Sequence, residues 1–222
     1  MPGEQKIFYN KDYFKQRIGI FDKNRKIVEK KRLDALKQYI LPKKLIKILD
    51  IGCGTGYFLA LCDKENWQTF GVDISNYALV EASFYTKAEL HQVDLNSEQL
   101  PFENNFFDAI LAMDVIEHLE NDESFLQEIK RTLKRGGFFL LLTPDGHSLY
   151  DNDSTHINIY KKKDLINKLK TFGFKILDVK EDRGYTRRVI PLRRYPFINK
   201  INQRLCDLFG RYVKEVVITA KK

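Results

Sequence analysis

The sequence is poor in cysteine and in long hydrophobic runs, and both shortages narrow the kinds of protein that it can encode. Its three cysteines lack C-x-x-C spacing and a clustered histidine partner, which disfavours both disulfides and structural zinc. Apolar runs such as residues 138–142 are far shorter than the roughly 18 residues of a membrane span. The first ten residues are too polar for a secretion signal. These features predict a cytoplasmic protein, and 222 residues suit one domain.

The net charge of +8 is unevenly distributed along the chain. Residues 1–50 hold 14 Lys and Arg against 6 Asp and Glu, and residues 184–222 hold 10 against 2, whereas the residues between them hold 14 against 22. Basic ends on an acidic body indicate arms that contact something anionic, such as nucleic acid, phospholipid or a phosphorylated substrate. Solvent-exposed helix faces would explain the same pattern without any partner.

Short apolar runs alternate with amphipathic stretches from residue 44 onward, which is typical of an α/β protein. The apolar runs predict five parallel strands, at residues 46–51, 69–72, 89–93, 107–113 and 137–143. Helices are predicted at residues 57–65, 76–85, 122–133 and 164–172. Because strand and helix alternate, we expect right-handed crossovers and a doubly wound, Rossmann-like sheet. Two further strands are predicted at residues 174–179 and 215–220.

The predicted domain has a helical N-terminal cap at residues 1–44, a core at 45–183, a basic insertion at 184–213 and a last strand at 214–222. An amphipathic helix at residues 22–41, ended by Pro42, is expected to lie across the sheet as a lid. The aromatic residues before it are candidates either for the core or for a cover over the ligand site: Phe8, Tyr9, Tyr13 and Phe14.

A glycine-rich loop follows the first predicted strand, in the sequence LDIGCGTGY that begins at Leu49. Glycine is needed where the backbone passes close to a ligand or takes a positive φ, and the helix that follows presents unbonded N–H groups. The spacing is G-x-G-x-G, whereas a dinucleotide pyrophosphate site has G-x-G-x-x-G and would require glycine in place of Tyr57. The spacing of the loop therefore disfavours nucleotide-phosphate binding.

Acidic residues follow the next two predicted strands. Asp73 comes 17 residues after Gly56, at the position where a carboxylate accepts hydrogen bonds from both ribose hydroxyls. Asp94 is placed to bind the exocyclic amine of an adenine that lies between apolar neighbours such as Ile74 and Leu95. Either carboxylate alone could be a helix N-cap, but that explanation does not account for the series of signals at successive strand ends.

With these motifs in place, residues 46–177 resemble the class I S-adenosylmethionine-dependent methyltransferases. The resemblance rests on LDIGCGTG, GVDIS, VDL, LPFENNFFDAILAMDVIEHL and LKRGGFFLLLTPD. It implies a seven-stranded, mostly parallel sheet with an antiparallel last strand, and S-adenosylmethionine as the cofactor. The usual lysine-proline-glycine turn before the fifth strand is replaced by residues 134–137, with the sequence KRGG.

The same resemblance implies the contacts that the cofactor makes. Asp50 supports the loop and helps to hold the methionine amine, and Met113, at the tip of the fourth strand, approaches the sulfonium. The loop backbone receives the methionine part. The candidate loop residues are Gly52, Cys53, Gly54 and Gly56.

Two histidines are candidates for a general base that removes a proton from the acceptor. His118 follows the fourth strand in the sequence IEHL and either acts on the acceptor or supports the cofactor pocket. His156 follows the fifth strand and resembles a His-x-x-x-Phe/Tyr segment of members that act on quinone precursors, sugars and lipid-linked compounds. A hydrogen-bonded loop residue is the alternative for His156.

A metal site is not expected from the sequence. The loop at residues 144–153 gathers side chains that could bind magnesium, as in catechol-type relatives, but a polar lid in water is the favoured interpretation. These side chains are Asp145, His147, Asp151 and Asp153.

The motifs exclude some acceptors more firmly than others. The N/D-P-P-Y/F motif of enzymes that methylate exocyclic base or glutamine nitrogens is absent at residues 112–115. Cytosine-carbon methylation requires a suitably placed cysteine nucleophile, and none is found. The favoured acceptor is therefore a small or lipid- or sugar-linked molecule that is methylated on oxygen or nitrogen. The basic insertion is expected to contact an anionic group or a membrane surface through Arg187, Arg188, Arg193 and Arg194.

Two alternatives remain open at this point. An RNA or protein methyltransferase would use the same arginines for docking, although the missing nucleic-acid motifs make that less favoured. A cofactor-binding assembly module without catalysis is the other, but neither the glycine loop nor Asp73 looks degraded.

Overall fold

The computed structural model describes residues 9–18, 22–40, 45–146, 155–183 and 214–222, and the structural statements below refer to these residues. The α-helices are α1 (Lys11–Ile18), α2 (Asp22–Lys37), α3 (Tyr57–Cys62), α4 (Asn76–Ser83), α5 (Asp122–Thr132) and α6 (Lys162–Thr171). The strands are β1 (Lys47–Ile51), β2 (Gln68–Asp73), β3 (Glu89–Gln92), β4 (Phe107–Met113), β5 (Leu133–Pro144), β6 (Lys175–Arg183) and β7 (Lys214–Lys221). Two short 3-10 helices span Asp63–Glu65 and Ile116–His118.

The described strands form one seven-stranded sheet in the order β3-β2-β1-β4-β5-β7-β6. The first five strands are parallel to one another, whereas β7 is antiparallel to both β5 and β6. The Rossmann-like fold and the antiparallel last strand predicted from the sequence are confirmed. The strand order reverses beside β1, and ligands of open α/β sheets bind at the carboxyl ends of strands around such a point.

The central strands are continuously apolar because helices cover both of their faces. Side chains alternate along each strand, so Leu49 and Ile110 join the hydrophobic cluster of α5, while Ile48 and Leu111 join the cluster on the opposite face. The second cluster includes Leu36 of α2. The predicted N-terminal amphipathic helix therefore exists and packs on a face of the sheet. It ends at Lys37, before the predicted end at Pro42, which lies outside the described residues.

The turn predicted at residues 134–137 lies inside β5, which is longer than expected from the sequence. Phe107 pairs with Leu133 and Ala109 pairs with Phe138, so residues 134–137 bulge from the ladder. Gly136 has φ +77° and donates its N–H to the Lys222 carbonyl oxygen at 2.9 Å. The last residue of the chain therefore satisfies a backbone group that the bulge would otherwise leave unpaired.

No helix in the described part of the chain is long and apolar enough to cross a membrane. Three parts of the chain for which predictions were made lie outside the described residues. They are the basic insertion with its four arginines, most of the loop proposed as a polar lid, and Phe8. The predictions made for them remain predictions.

Candidate functional site

The glycine loop connects β1 to α3 at the carboxyl edge of the sheet. Gly52 and Cys53 both donate their N–H groups to the Val72 carbonyl oxygen of β2, at 2.8 and 3.1 Å. Three glycines of the loop have positive φ, a conformation that costs other residues energy. The chain can therefore turn tightly at the end of β1 while it remains bonded to β2.

The same glycines face different surroundings. A Cβ atom on Gly52 would lie 2.6 Å from Cγ2 of Val115, and one on Gly56 would lie 2.8 Å from Cβ of Ala82, so both positions require glycine for close packing. A Cβ on Gly54 would lie 3.6 Å from the Phe14 ring, which is an ordinary contact distance. Of the three, only Gly54 would accept a Cβ atom without a clash, in contact with Phe14, and Gly56 serves the packing of α4 against the loop.

Asp73 ends β2 and joins the two loops that follow β1 and β2. Its Oδ2 accepts the Gly54 N–H at 2.8 Å, and its Oδ1 accepts the Ser75 N–H at 2.8 Å. The side chain is buried. Burial raises the pKa of this carboxyl above its ordinary value, and the backbone N–H groups partly oppose the rise. Asp73, which the sequence predicts to bind the ribose hydroxyls, thus lies directly beside Gly54.

Two further predicted carboxylates lie in the same region. Asp50 is buried in β1, level with Gly71 of β2 and Leu111 of β4. Asp94 follows β3, and its Oδ1 accepts the Asn96 N–H at 3.1 Å, so it organises a local turn. It is not the helix N-cap of the alternative interpretation, because the next element is β4. Buried carboxylates at this edge favour a ligand with positive charge.

Apolar candidates border these carboxylates. Ile74 is half-buried after β2, and its carbonyl oxygen accepts the Gln92 side-chain N–H at 3.0 Å. Leu95 packs partly against the core, and Met113 is the half-buried last residue of β4.

Cys53 is a candidate for contacting the cofactor through its main chain and not through its side chain. Its side chain is buried in a cluster with Leu59 and Leu79. Burial raises the pKa of the thiol well above its ordinary value, and the nearby carboxylates of Asp73 and Asp50 raise it further. The thiol is therefore protonated and unreactive near neutral pH.

An aromatic segment at residues 9–14 covers the loop. The Tyr9 carbonyl oxygen accepts the Ser75 hydroxyl at 2.5 Å. The Tyr9 and Tyr13 ring centroids are 4.9 Å apart, and those of Phe14 and Tyr77 are 6.3 Å apart. Of the two roles open to these aromatics, the cover over the ligand site agrees with their position. The segment includes the first turn of α1, a helix that was not predicted from the sequence.

The two predicted histidines lie together. The ring centroids of His118 and His156 are 4.8 Å apart in an edge-to-face arrangement. The carbonyl oxygen of Thr155 lies 3.0 Å from Nδ1 of His118. Because a carbonyl only accepts, Nδ1 carries the proton and Nε2 carries the lone pair. The Tyr9 ring lies 6.0 Å from the His118 ring, so the histidine pair adjoins the aromatic cover.

Glu117 is the residue of this region that sequence reasoning did not select. It is buried, and it forms with His118 and His156 a group whose ligand atoms could hold a metal ion. The signal was present in the sequence as the adjacent Glu-His pair, but the approach of His156 depends on tertiary structure. His91, by contrast, lies on the edge strand β3 and contacts Glu89.

Known proteins resemble this chain along most of its length. A family described as "Methyltransferase domain" matches residues 21–179. An uncharacterized protein of Methanocaldococcus jannaschii is 34% identical over 165 residues, which cover 70% of this chain and 75% of that protein. A ubiquinone biosynthesis O-methyltransferase of Pelagibacter ubique is 31% identical over 46% of this chain and 43% of its own length. A tRNA U34 carboxymethyltransferase of Vibrio cholerae is 33% identical over 50% of this chain and 36% of its own.

Solved structures share the fold. A SAM-dependent methyltransferase from Archaeoglobus fulgidus superposes with a TM-score of 0.65 at 23% identity, covering 90% of this chain and 95% of that one. Phosphoethanolamine N-methyltransferase 2 of Haemonchus contortus, in complex with S-adenosyl-L-methionine, gives a TM-score of 0.64 at 21% identity over 87% of this chain and 52% of that one.

Proposed function

This chain belongs to the methyltransferase domain family, the class I S-adenosylmethionine-dependent methyltransferases, and from that premise we propose that it methylates an oxygen or nitrogen atom of a small, lipid-linked or sugar-linked acceptor. The observation that carries the proposal is the buried Asp73 carboxylate, which accepts the N–H of Gly54 under the aromatic ring of Phe14. A buried carboxylate next to the main chain of a glycine loop at a strand edge suits a nucleoside that carries an amino acid.

The residues present fit S-adenosylmethionine chemically. When bound, this cofactor supplies a methyl group that a positively charged sulfur activates. Asp73 would accept the two ribose hydroxyls, and Gly52, Cys53 and Gly54 would contact the methionine part through main-chain atoms, with Gly56 holding the loop in place. Asp50 would hold the methionine amine. The adenine side would be formed by Asp94, Ile74 and Leu95, and Met113 would approach the sulfonium region.

The acceptor is proposed to lie against the histidine pair. His118 and His156 are half-buried beside the aromatic cover, which helps to exclude water from the site. An acceptor hydroxyl must lose its proton as it is methylated. Nε2 of His118, which carries the lone pair, and the imidazole of His156 are the candidate proton acceptors.

The proposal is tested by incubating the full chain with methyl-labelled S-adenosylmethionine and fractionated cell extract. We expect label in a small-molecule or lipid fraction, identified by mass spectrometry, and a rise in melting temperature when the cofactor is added. His156→Ala is expected to keep cofactor affinity but to lower turnover. Intact turnover in this variant would remove His156 from catalysis, and the absence of cofactor binding by the wild-type chain would overturn the proposal.

A second candidate function is RNA methylation, which is favoured by the likeness to a tRNA U34 carboxymethyltransferase and by the basic ends of the chain. Docking on phosphates would make binding steeply dependent on salt. An RNA gel shift at rising salt, with labelled cofactor present, separates the two candidates. Label in the RNA would favour this second function, and label in small molecules alone would exclude it.

A further inference from the structure

Three potential metal ligands converge beside the aromatic cover. One carboxylate oxygen of Glu117 and one ring nitrogen each from His118 and His156 all lie within 4.8 Å of one another. Ligand atoms of a tetrahedral site with bonds of about 2.0–2.2 Å are roughly 3.3–3.6 Å apart. Small side-chain rotations would therefore bring these three atoms onto one ion.

Main-chain hydrogen bonds hold the two contributing segments together. The Glu117 carbonyl oxygen accepts the N–H of Ile157 at 2.8 Å and that of Asn158 at 3.0 Å. The side-chain amide of Asn158 also donates to the Leu119 carbonyl oxygen. His156 is thereby fixed next to the 3-10 helix that carries the other two ligands.

Two of the ligands are oriented by a second layer of hydrogen bonds. Nδ1 of His118 donates to the Thr155 carbonyl oxygen at 3.0 Å, which directs Nε2 and its lone pair away from the main chain. The Thr143 hydroxyl donates to Oε2 of Glu117 at 3.0 Å. Partners of this kind, a carbonyl on the imidazole and a hydroxyl on the carboxylate, support the ligands of protein metal sites.

We propose that Glu117, His118 and His156 bind one divalent first-row transition-metal ion of the zinc or cobalt type. Two imidazoles and one carboxylate suit such ions, whereas magnesium and calcium prefer oxygen ligands alone. Three protein ligands leave a coordination position open. The sequence had given no expectation of a metal here.

The use of the ion rests on the proposed function, because it requires the acceptor to lie at the histidine pair. An acceptor oxygen in the open position would have its pKa lowered, and its proton would pass to solvent. The oxygen would then bond to the methyl carbon as the carbon–sulfur bond breaks, with the electron pair left on sulfur. With the ion bound, both imidazoles would hold it, and loss of the proton to solvent would replace its transfer to His118 or His156.

The test uses the chelator-treated full chain titrated with Co(II), observed by visible absorption. We expect a saturable band from one ion per chain, displaced by Zn(II) and unaffected by Mg(II). His156→Gln and Glu117→Gln should each weaken Co(II) binding by about tenfold or more. His91→Gln is the matched control, because His91 also contacts a glutamate, Glu89 at 2.7 Å, but is only partly buried on the edge strand.

Each outcome decides for or against the metal site. Unchanged Co(II) affinity in both variants, or no band in the wild-type chain, overturns it. If a variant does not fold, the test uses NMR spectra of the wild-type chain with ring-¹⁵N-labelled histidine. Zn(II) should then shift the signals of two of the four histidines. Calorimetry with S-adenosylmethionine on the same samples separates the proposals, since cofactor binding without metal binding removes only this one.

Discussion

Gly54 and Gly56 have similar backbone conformations, with φ of +53° and +72°, but only Gly56 is closely packed. Gly56→Ala adds a clash with Ala82 of α4 to the backbone strain, so the free energy of unfolding should fall by about 2–4 kcal/mol. Gly54→Ala adds strain alone and should cost about 1 kcal/mol. Urea unfolding followed by the fluorescence of Trp67, the single tryptophan, measures both. Equal losses would contradict the packing role of Gly56.

Asp73 is the residue on which the proposed cofactor site depends. Asp73→Ala removes two expected hydrogen bonds to the ribose, so cofactor binding should weaken by about 2–4 kcal/mol, measured by calorimetry. Asp108→Asn is the control. Asp108 is also a buried carboxylate, but it lies at the amino end of β4, away from the carboxyl edge of the sheet, and pairs with Lys134 at 2.8 Å. Its substitution should lower stability and leave cofactor affinity unchanged, and an unaltered affinity in Asp73→Ala would refute the assignment.

At this scale the sequence predicts which residue types are required but not what each one contacts. The spacing of the glycine loop indicates close packing. It does not show that a Cβ atom would fit at Gly54 but would clash with α4 at Gly56. Glu117 was overlooked for a similar reason. Its neighbour His156 is brought to it by main-chain bonds across about 40 residues, which no local pattern records.

The helix α1 forms part of the aromatic cover, and Phe14 is its contact with the glycine loop. Phe14→Ala removes apolar area over the cofactor, so the cofactor should dissociate about tenfold faster in stopped-flow measurements. Phe84→Ala is the matched control, because Phe84 is 75% exposed after α4. Equal dissociation rates in the wild-type chain and Phe14→Ala would show that the segment does not cover the bound cofactor.

A partly buried ion pair within α5, between Glu128 and Arg131, joins this helix to the loop before β4. Glu128 accepts the Leu100 N–H at 2.9 Å and two N–H groups of Arg131 at 2.7 Å, and Arg131 donates in turn to the carbonyl oxygens of Leu100 and Phe102. The hydrogen bonds from Arg131 lower the pKa of Glu128, against the opposing effect of burial. The folded state therefore favours the ionised carboxylate.

Glu128→Gln should lower the free energy of unfolding by about 1–3 kcal/mol at pH 7. Because the folded-state pKa is depressed, the advantage of the wild-type chain is present above the unfolded-state pKa of about 4.3 and is lost as the pH falls through the folded-state pKa. Urea titrations at neutral and acidic pH measure the difference. A difference that stays constant across this range would show that the charge of Glu128 is not its cause.

The elements of the core follow from the sequence because hydrophobic period and turn residues agree there. The apolar run at 107–113 was predicted with the bounds that β4 has in the structure. Two elements were missed: α1, which is too short and polar to have a clear period, and the 3-10 helix Ile116–His118. The bulge in β5 was predicted as a turn, because its glycines are typical of both a turn and a bulge. Only the pairing with β4 distinguishes the two.

The whole sheet is expected to unfold as one unit because β7 joins β5 to β6. Ile218 of β7 is fully buried and pairs with Leu141 on one side and Val179 on the other. Ile218→Ala should lower the free energy of unfolding by about 2–5 kcal/mol. Trp67, just before β2 on the other side of the sheet, should report the same transition as circular dichroism. Two separate midpoints would contradict this cooperativity.

The position of β7 also has a consequence for the newborn chain. During synthesis the ribosome releases β5 and β6 well before residues 214–221, which lie between them in the finished sheet. Until then each has an unpaired edge, which is a feature that promotes aggregation. Nascent chains stalled before residue 214 should therefore be retained by trigger-factor-type chaperones, and chains extended past residue 222 by a linker should be released.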